Sequence, residues 1–93
     1  MKQNEIKELA MVFKGISHPA RLQIVIGLLT KKNCNVNTMS EKLRLPQPTV
    51  SQHLTILKNC KIIVGERNAN QICYSLANQK IRKMLAALTE EGL

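Results

Sequence analysis

Apolar positions along this chain recur with two periods. Over residues 4–15, Ile6, Leu9, Ala10 and Phe13, continuing to Ile16, keep three-and-four spacing and predict a first helix. Pro19 fits the first turn of a second helix, where its missing N–H costs nothing. Leu22, Val25, Ile26 and Leu29 form that helix's inner stripe, and Lys31 and Lys32 suit its C-terminal turn. "NCNVN" is a polar break with room for a very short strand at Val36. Asn37 then serves as N-cap of a third helix, "TMSEKL", with Met39 and Leu43 inward. Arg44 to Pro46 form a tight turn. Pro46 disfavours helix at Leu45 and so ends the third helix, and Pro48 stands at or near the first position of a fourth. Val50, Leu54 and Leu57 make a thin apolar seam there. After Cys60 the period falls to two: "KIIVGER" and "QICYSL" flank "NAN" and predict a hairpin. Its residues Ile72, Tyr74 and Leu76 are expected to face the core. Asn78 caps a fifth helix whose stripe is Ile81, Met84, Leu85 and Leu88.

The order is α-α-α-α-β-β-α, mainly α with a small β-hairpin wing. Helix, short turn, helix and ribbon make a winged helix-turn-helix, in which the second helix of the pair enters a major groove. The fourth helix has the matching division of labour. Its seam anchors it, while Gln47, Thr49, Ser51, Gln52 and His53 offer short donors and acceptors for base edges. Of these, His53 could turn instead toward a phosphate or the seam. Arg67, between "KIIVGE" and Asn68 and Asn70, lies at the wing tip, where it reaches phosphate or the minor groove. The asparagines also tolerate positive φ in a tight turn. Lys42, Arg44, Lys58 and Lys61 are further phosphate-contact candidates. His18, ahead of a proline at a helix start, reads as a cap or a buried structural residue.

Length and charge sharpen this picture. Ninety-three residues are one domain, 1–93, with a modest core. The stripes of the first and last helices exceed what that core covers, so a homodimer joined through them is expected. The formal net charge of +8 calls for an anionic partner. The cations are scattered rather than grouped on one amphipathic helix, and no apolar run is long enough to span a bilayer, so a membrane is not that partner. "MKQNEIKELA" lacks an apolar signal-peptide core, and the expected location is cytoplasmic. No nucleophile–base pair, phosphate loop or metal-ligand cluster supports an enzyme, and no cofactor is expected.

"ISHPARLQIVIGLL" and "LPQPTVSQHLTILKNCKIIVGERNANQICYSL" resemble the second helix and the recognition helix with wing of the ArsR/SmtB family of small bacterial repressors. The resemblance covers nearly the whole chain. It implies a homodimer through the first and last helices, a palindromic double-stranded DNA operator, and repression released by a metal or a thiol-modifying signal. The family's metal box on the third helix has paired cysteines, whereas "NVNTMSEKL" has none. Its zinc site on the last helix uses His and Asp, whereas "NQKIRKMLAALTEEGL" has neither. Persulfide-sensing relatives carry cysteines on the second and last helices; both are cysteine-free here.

Cys34, Cys60 and Cys73 are the only thiols, an odd number that suits a reducing compartment. With the hairpin turning at Asn68–Ala69, Cys73 would pair across from Val64. Cys60 would then lie roughly 13 Å further along the strand. A Cys60–Cys73 bridge within one subunit is thereby disfavoured, and Cys34 is left free to approach either Cys73 or Cys60. The expected function is a DNA-binding repressor released through these thiols by an oxidant or reactive sulfur. The alternatives are a soft-metal-responsive repressor with Cys34 and Cys60 as ligands, and a dimeric interaction module that no longer binds DNA.

Overall fold

A computed structural model describes residues 1–30 and 34–89. Among them are five helices and one antiparallel hairpin: α1 (Gln3–Ile16), α2 (Pro19–Leu29), α3 (Val36–Leu43), α4 (Gln47–Asn59), β1 (Ile63–Asn68), β2 (Gln71–Leu76) and α5 (Gln79–Leu88). The expected element order is observed. The core lies where α2, α4, the base of the hairpin and α5 meet. Val25, Val50, Leu57 and Ile62 have no exposed surface, and Ile24, Leu28, Met39, Leu54, Ile63, Leu76, Ile81 and Leu85 complete the core. Each fully buried aliphatic side chain contributes about 1.5–3 kcal/mol relative to an exposed one.

Several local expectations are corrected. Val36 forms no strand; it opens α3, and the N-cap is Asn35 rather than Asn37, its side chain accepting from the Thr38 N–H at 2.9 Å. The strand-like contact falls two residues earlier, where the Cys34 carbonyl accepts from the Tyr74 N–H at 2.7 Å. Pro48 does stand near the first position of α4, as its second residue, and Pro46 is the N-cap. The buried stripe of α2 is Ile24, Val25 and Leu28, while Leu22 is exposed. Lys31 and Lys32 lie outside the described residues. Ile81 and Leu85 belong to the subunit's own core, so of the α5 stripe only Leu88 is widely exposed.

The hairpin turns at Ala69–Asn70, and the last strand pair is Asn68 with Gln71. Cys73 therefore faces Glu66, not Val64. The positive φ falls on Ala69 (58°) rather than on either asparagine. Ile72 shares a face with Tyr74 and Leu76, but it is near the wing tip and beyond the core's reach, so it is exposed while Leu76 is buried.

Helix ends are closed by side chains that also tie elements together. His18 caps α2, its Nδ1 accepting from the Ala20 N–H at 3.1 Å. Arg21 Nε donates to the Gly15 carbonyl at the end of α1 (2.7 Å), and Arg82 Nη1 donates to the Leu29 carbonyl at the end of α2 (3.2 Å). Gly15 is a close-packing point: a Cβ there would stand 2.4 Å from Ile62 Cδ1 and 3.2 Å from Cys60 Sγ, so both side chains would have to shift.

Candidate nucleic-acid interface

The turn between α3 and α4 is three residues long and built from backbone chemistry. Arg44 takes a left-handed conformation (φ 57°), which lets the Leu45 N–H reach back to the Ser40 carbonyl at 3.2 Å. The Ser40 hydroxyl donates to the Leu45 carbonyl. Pro46 then leaves the chain extended and starts α4 (φ −59°, ψ 147°). At the other end of α4 the same device recurs. Lys61 is left-handed (φ 62°), its N–H meets the Lys58 carbonyl and the Ile62 N–H meets the Leu57 carbonyl, each at 3.0 Å. This is the double bond pattern that usually ends in glycine.

Between these ends α4 buries Val50, Leu54 and Leu57 and turns its opposite side to solvent. Gln47, Ser51 and Gln52 are exposed, and Thr49 is half-buried. Gln47 Nε2 donates to Asn37 Oδ1 on α3, which fixes the amide and leaves its oxygen and second N–H free. Two residues of this surface were not singled out in the sequence. Asn37, expected as the cap of α3, stands on this surface instead. Thr55 lies one turn after Ser51, is exposed, and spends its hydroxyl on the Ser51 carbonyl at 3.0 Å.

His53 is placed apart from the other four candidates. It is half-buried against the start of α2, its ring centroid 4.7 Å from that of His18. Its Nδ1 is enclosed without a hydrogen-bond partner. Burial, then the neighbouring His18 and Arg21, hold its pKa below the ordinary value. His53 thus turns toward His18 and the seam, the second of the two directions open to it.

Lys42, Arg44, Lys58, Lys61 and Arg67 are all exposed, as are Asn68 and Asn70 at the wing tip. Between Val36 and Leu76 these five cations face two carboxylates, Glu41 and Glu66. The reading head is thus locally basic, as a phosphate-contacting surface requires.

The three cysteines are separate in kind. Cys60 is buried where α4 ends under α1. It lies before the turn that leads into β1, while Cys73 pairs with Glu66, three residues or about 10 Å along that strand from its start at Ile63, so the two are held apart. Cys34 and Cys73 are half-buried and adjacent: the Cys34 carbonyl receives the Tyr74 N–H at 2.7 Å, and the Cys73 thiol, which donates to the Tyr74 carbonyl at 3.9 Å, lies beside Cys34. The adjacent Cys34 side chain, then burial and the nearby Glu66 charge, push the Cys73 thiol up to about 11. All three cysteines are free thiols.

A groove of about 510 Å³ runs between α1 and α5, with Leu9, Val12, Cys60, Ile81 and Met84 among its lining. Ile6, Leu9 and Phe13 on α1 and Leu88 on α5 remain exposed by 40–65%. Among the described residues, no group of three or more His, Cys, Asp and Glu could hold a metal ion, and no helix is long and apolar enough to cross a membrane.

Known proteins share this arrangement. The model of the family described as "Bacterial regulatory protein, arsR family" matches residues 18–64, from the cap of α2 into β1. The chain is 37% identical to the biofilm growth-associated repressor of Agrobacterium fabrum over 81 residues, 87% of this chain and 68% of that protein. It is 36% identical to the transcriptional repressor PagR of Bacillus anthracis over 83 residues, 89% of this chain and 83% of PagR. The PagR crystal structure matches with a TM-score of 0.85 at 34% identity, covering 95% of this chain and all of that one. Reduced HlyU from Vibrio cholerae matches with a TM-score of 0.82 at 26% identity, over 92% of this chain and 90% of HlyU. The chain therefore belongs to the ArsR family of bacterial transcriptional regulators, winged helix-turn-helix proteins that act by binding DNA and not as enzymes.

Proposed function

We propose that this chain is a cytoplasmic, homodimeric repressor that reads a palindromic double-stranded operator and releases it in response to a thiol-modifying signal. The observation that carries this reading is the division of α4. A completely buried seam holds the helix, while Gln47, Ser51 and Gln52 stand free on its outer side beside a basic wing. Gln47, Thr49, Ser51 and Gln52 supply the base contacts, with Asn37 orienting Gln47. Lys42, Arg44, Lys58, Lys61 and Arg67 supply phosphate contacts, which set affinity and its salt dependence.

Dimerisation follows from what a single chain leaves uncovered. Ile6, Leu9 and Phe13 form one exposed apolar stripe on α1, continuous in kind with Leu88 on α5. A two-fold axis along these helices covers both stripes and sets two α4 helices side by side for two half-sites. PagR and the Agrobacterium protein, named as repressors, favour repression over activation.

The thiol signal is supported by two half-buried cysteines in contact. For a soft cation the same pair offers two sulfur ligands, and Cys60 is buried elsewhere, under α1. Operator binding by reduced, peroxide-treated and cadmium-loaded protein, measured side by side, tests the reading. Tight sequence-specific binding lost on peroxide supports it. Loss with cadmium alone favours the metal-responsive reading. No DNA binding in any state leaves an interaction module.

A further inference from the structure

We infer that Cys34 and Cys73 are one modification site, a dithiol that takes a two-electron oxidant of the hydroperoxide class and closes to a disulfide between the start of the helix-turn-helix and the wing. The inference deepens the thiol-signal part of the proposed function and rests on it only for its effect on DNA.

The geometry is that of a pair built to bridge. Cys34 immediately precedes Asn35, the cap of α3, and its carbonyl takes the Tyr74 N–H at 2.7 Å, beside Cys73. That backbone bond brings the two segments side by side, and a disulfide accepts Cα separations of about 4.4–6.8 Å. The Cys73 thiol now donates to the Tyr74 carbonyl at 3.9 Å, a weak bond that side-chain rotation toward the neighbouring Cys34 gives up. Both residues are half-buried, open enough for a small peroxide. Cys60 is excluded as partner by its place under α1, with Gly15 packed on its sulfur.

The two sulfurs have different roles. Glu66 stands opposite Cys73 across the hairpin and opposes a negative charge on its sulfur, so Cys34 is assigned the first reaction. Its thiolate attacks the peroxide: the O–O bond breaks, Cys34 becomes a sulfenic acid, and the other oxygen leaves as water or an alcohol after taking a proton. The Cys73 sulfur then attacks the sulfenic sulfur. The S–S bond forms, the S–O bond breaks, and the hydroxyl leaves as water with the Cys73 proton. The dithiol loses two electrons and the peroxide gains them.

The bond matters because of what it joins. Cys73 follows Ile72, which pairs with Arg67. Drawing Cys73 toward Cys34 shifts the wing arginine relative to α4. In a dimer that shift occurs at both half-sites.

The full chain, reduced and then treated with hydrogen peroxide, gives the test. The expected result is a chain lighter by about 2 Da, one remaining reactive thiol on Cys60, and a mapped Cys34–Cys73 peptide. Cys34→Ser and Cys73→Ser should abolish the bridge, while Cys60→Ser should leave it intact. Reduced protein should bind duplex DNA about 10-fold more tightly than oxidised protein, within the usual range of allosteric coupling. A bridge to Cys60, a bond between subunits, or over-oxidation without a bridge overturns the inference. So does a bridge that forms with DNA affinity unchanged. Absence of DNA binding by the reduced protein while the bridge still maps to Cys34–Cys73 would overturn the proposed function instead and leave the dithiol site standing.

Discussion

The imidazole rings of His18 and His53 stand 4.7 Å apart, centroid to centroid, and tilted by 51°. One caps α2 and the other lies on the inner flank of α4, so the pair joins the reading helix to the helix beneath it. His53 has its enclosed Nδ1 unpartnered and a pKa below the ordinary 6.5. As pH falls, the unfolded chain therefore takes this proton before the folded one does. The stability that depends on neutral His53 is complete above pH 6.5 and is lost progressively below it. His53→Gln should flatten that acid limb while base recognition persists. Urea midpoints at several pH values check this; identical pH slopes for parent and variant would contradict it.

Arg44 and Lys61 both hold left-handed backbones at helix ends where glycine is the relaxed choice. In the proposed function both cations contact phosphate. Lys61→Gly should raise stability by about 1 kcal/mol or less while weakening binding to all duplex DNA and lowering its salt slope. Thermal unfolding and a salt titration of affinity measure the two sides separately.

Phe13→Glu and Leu88→Glu place a charge on exposed apolar stripes and should yield folded monomers of 10.5 kDa in place of a dimer of about 21 kDa. Leu85→Glu should instead unfold the chain, because Leu85 is 1% exposed in the subunit itself. Sedimentation equilibrium with circular dichroism separates dissociation from unfolding.

Gln47 and Asn37 are coupled through one hydrogen bond across the turn. Gln47→Ala should cost roughly 1–3 kcal/mol on the preferred site and relax its sequence preference. Asn37→Ala should reproduce part of that loss, and the double variant should lose less than the two losses added together. Strict additivity would mean that Asn37 does not orient Gln47.

The helices were legible in the sequence because their cores repeat at a helical period and their boundaries carry proline or asparagine. Where two readings were chemically equivalent, the sequence could not separate them. "NVN" offers two capping asparagines, and the choice of Asn35 follows from the tertiary hydrogen bond at Cys34. "NAN" offers two residues that tolerate positive φ, yet strand pairing out to Asn68–Gln71 imposes it on Ala69. That shift also changed the partner of Cys73. The meeting of Cys34 with Cys73, and the turning of His53 toward His18, join residues more than thirty positions apart. No local pattern records either one; the sequence left Cys34 with two partners and His53 with two directions.

In the proposed dimer two α4 helices read one DNA duplex together. Hydroxyl-radical footprinting on a site selected from random duplex DNA tests it most directly. The expected footprint is two symmetric protected tracts, centred about 10–10.5 base pairs or a multiple of this apart. Ser51→Ala and Gln52→Ala should degrade the selected sequence within each tract. Failure to enrich any sequence, or a single tract without symmetry, would contradict the account.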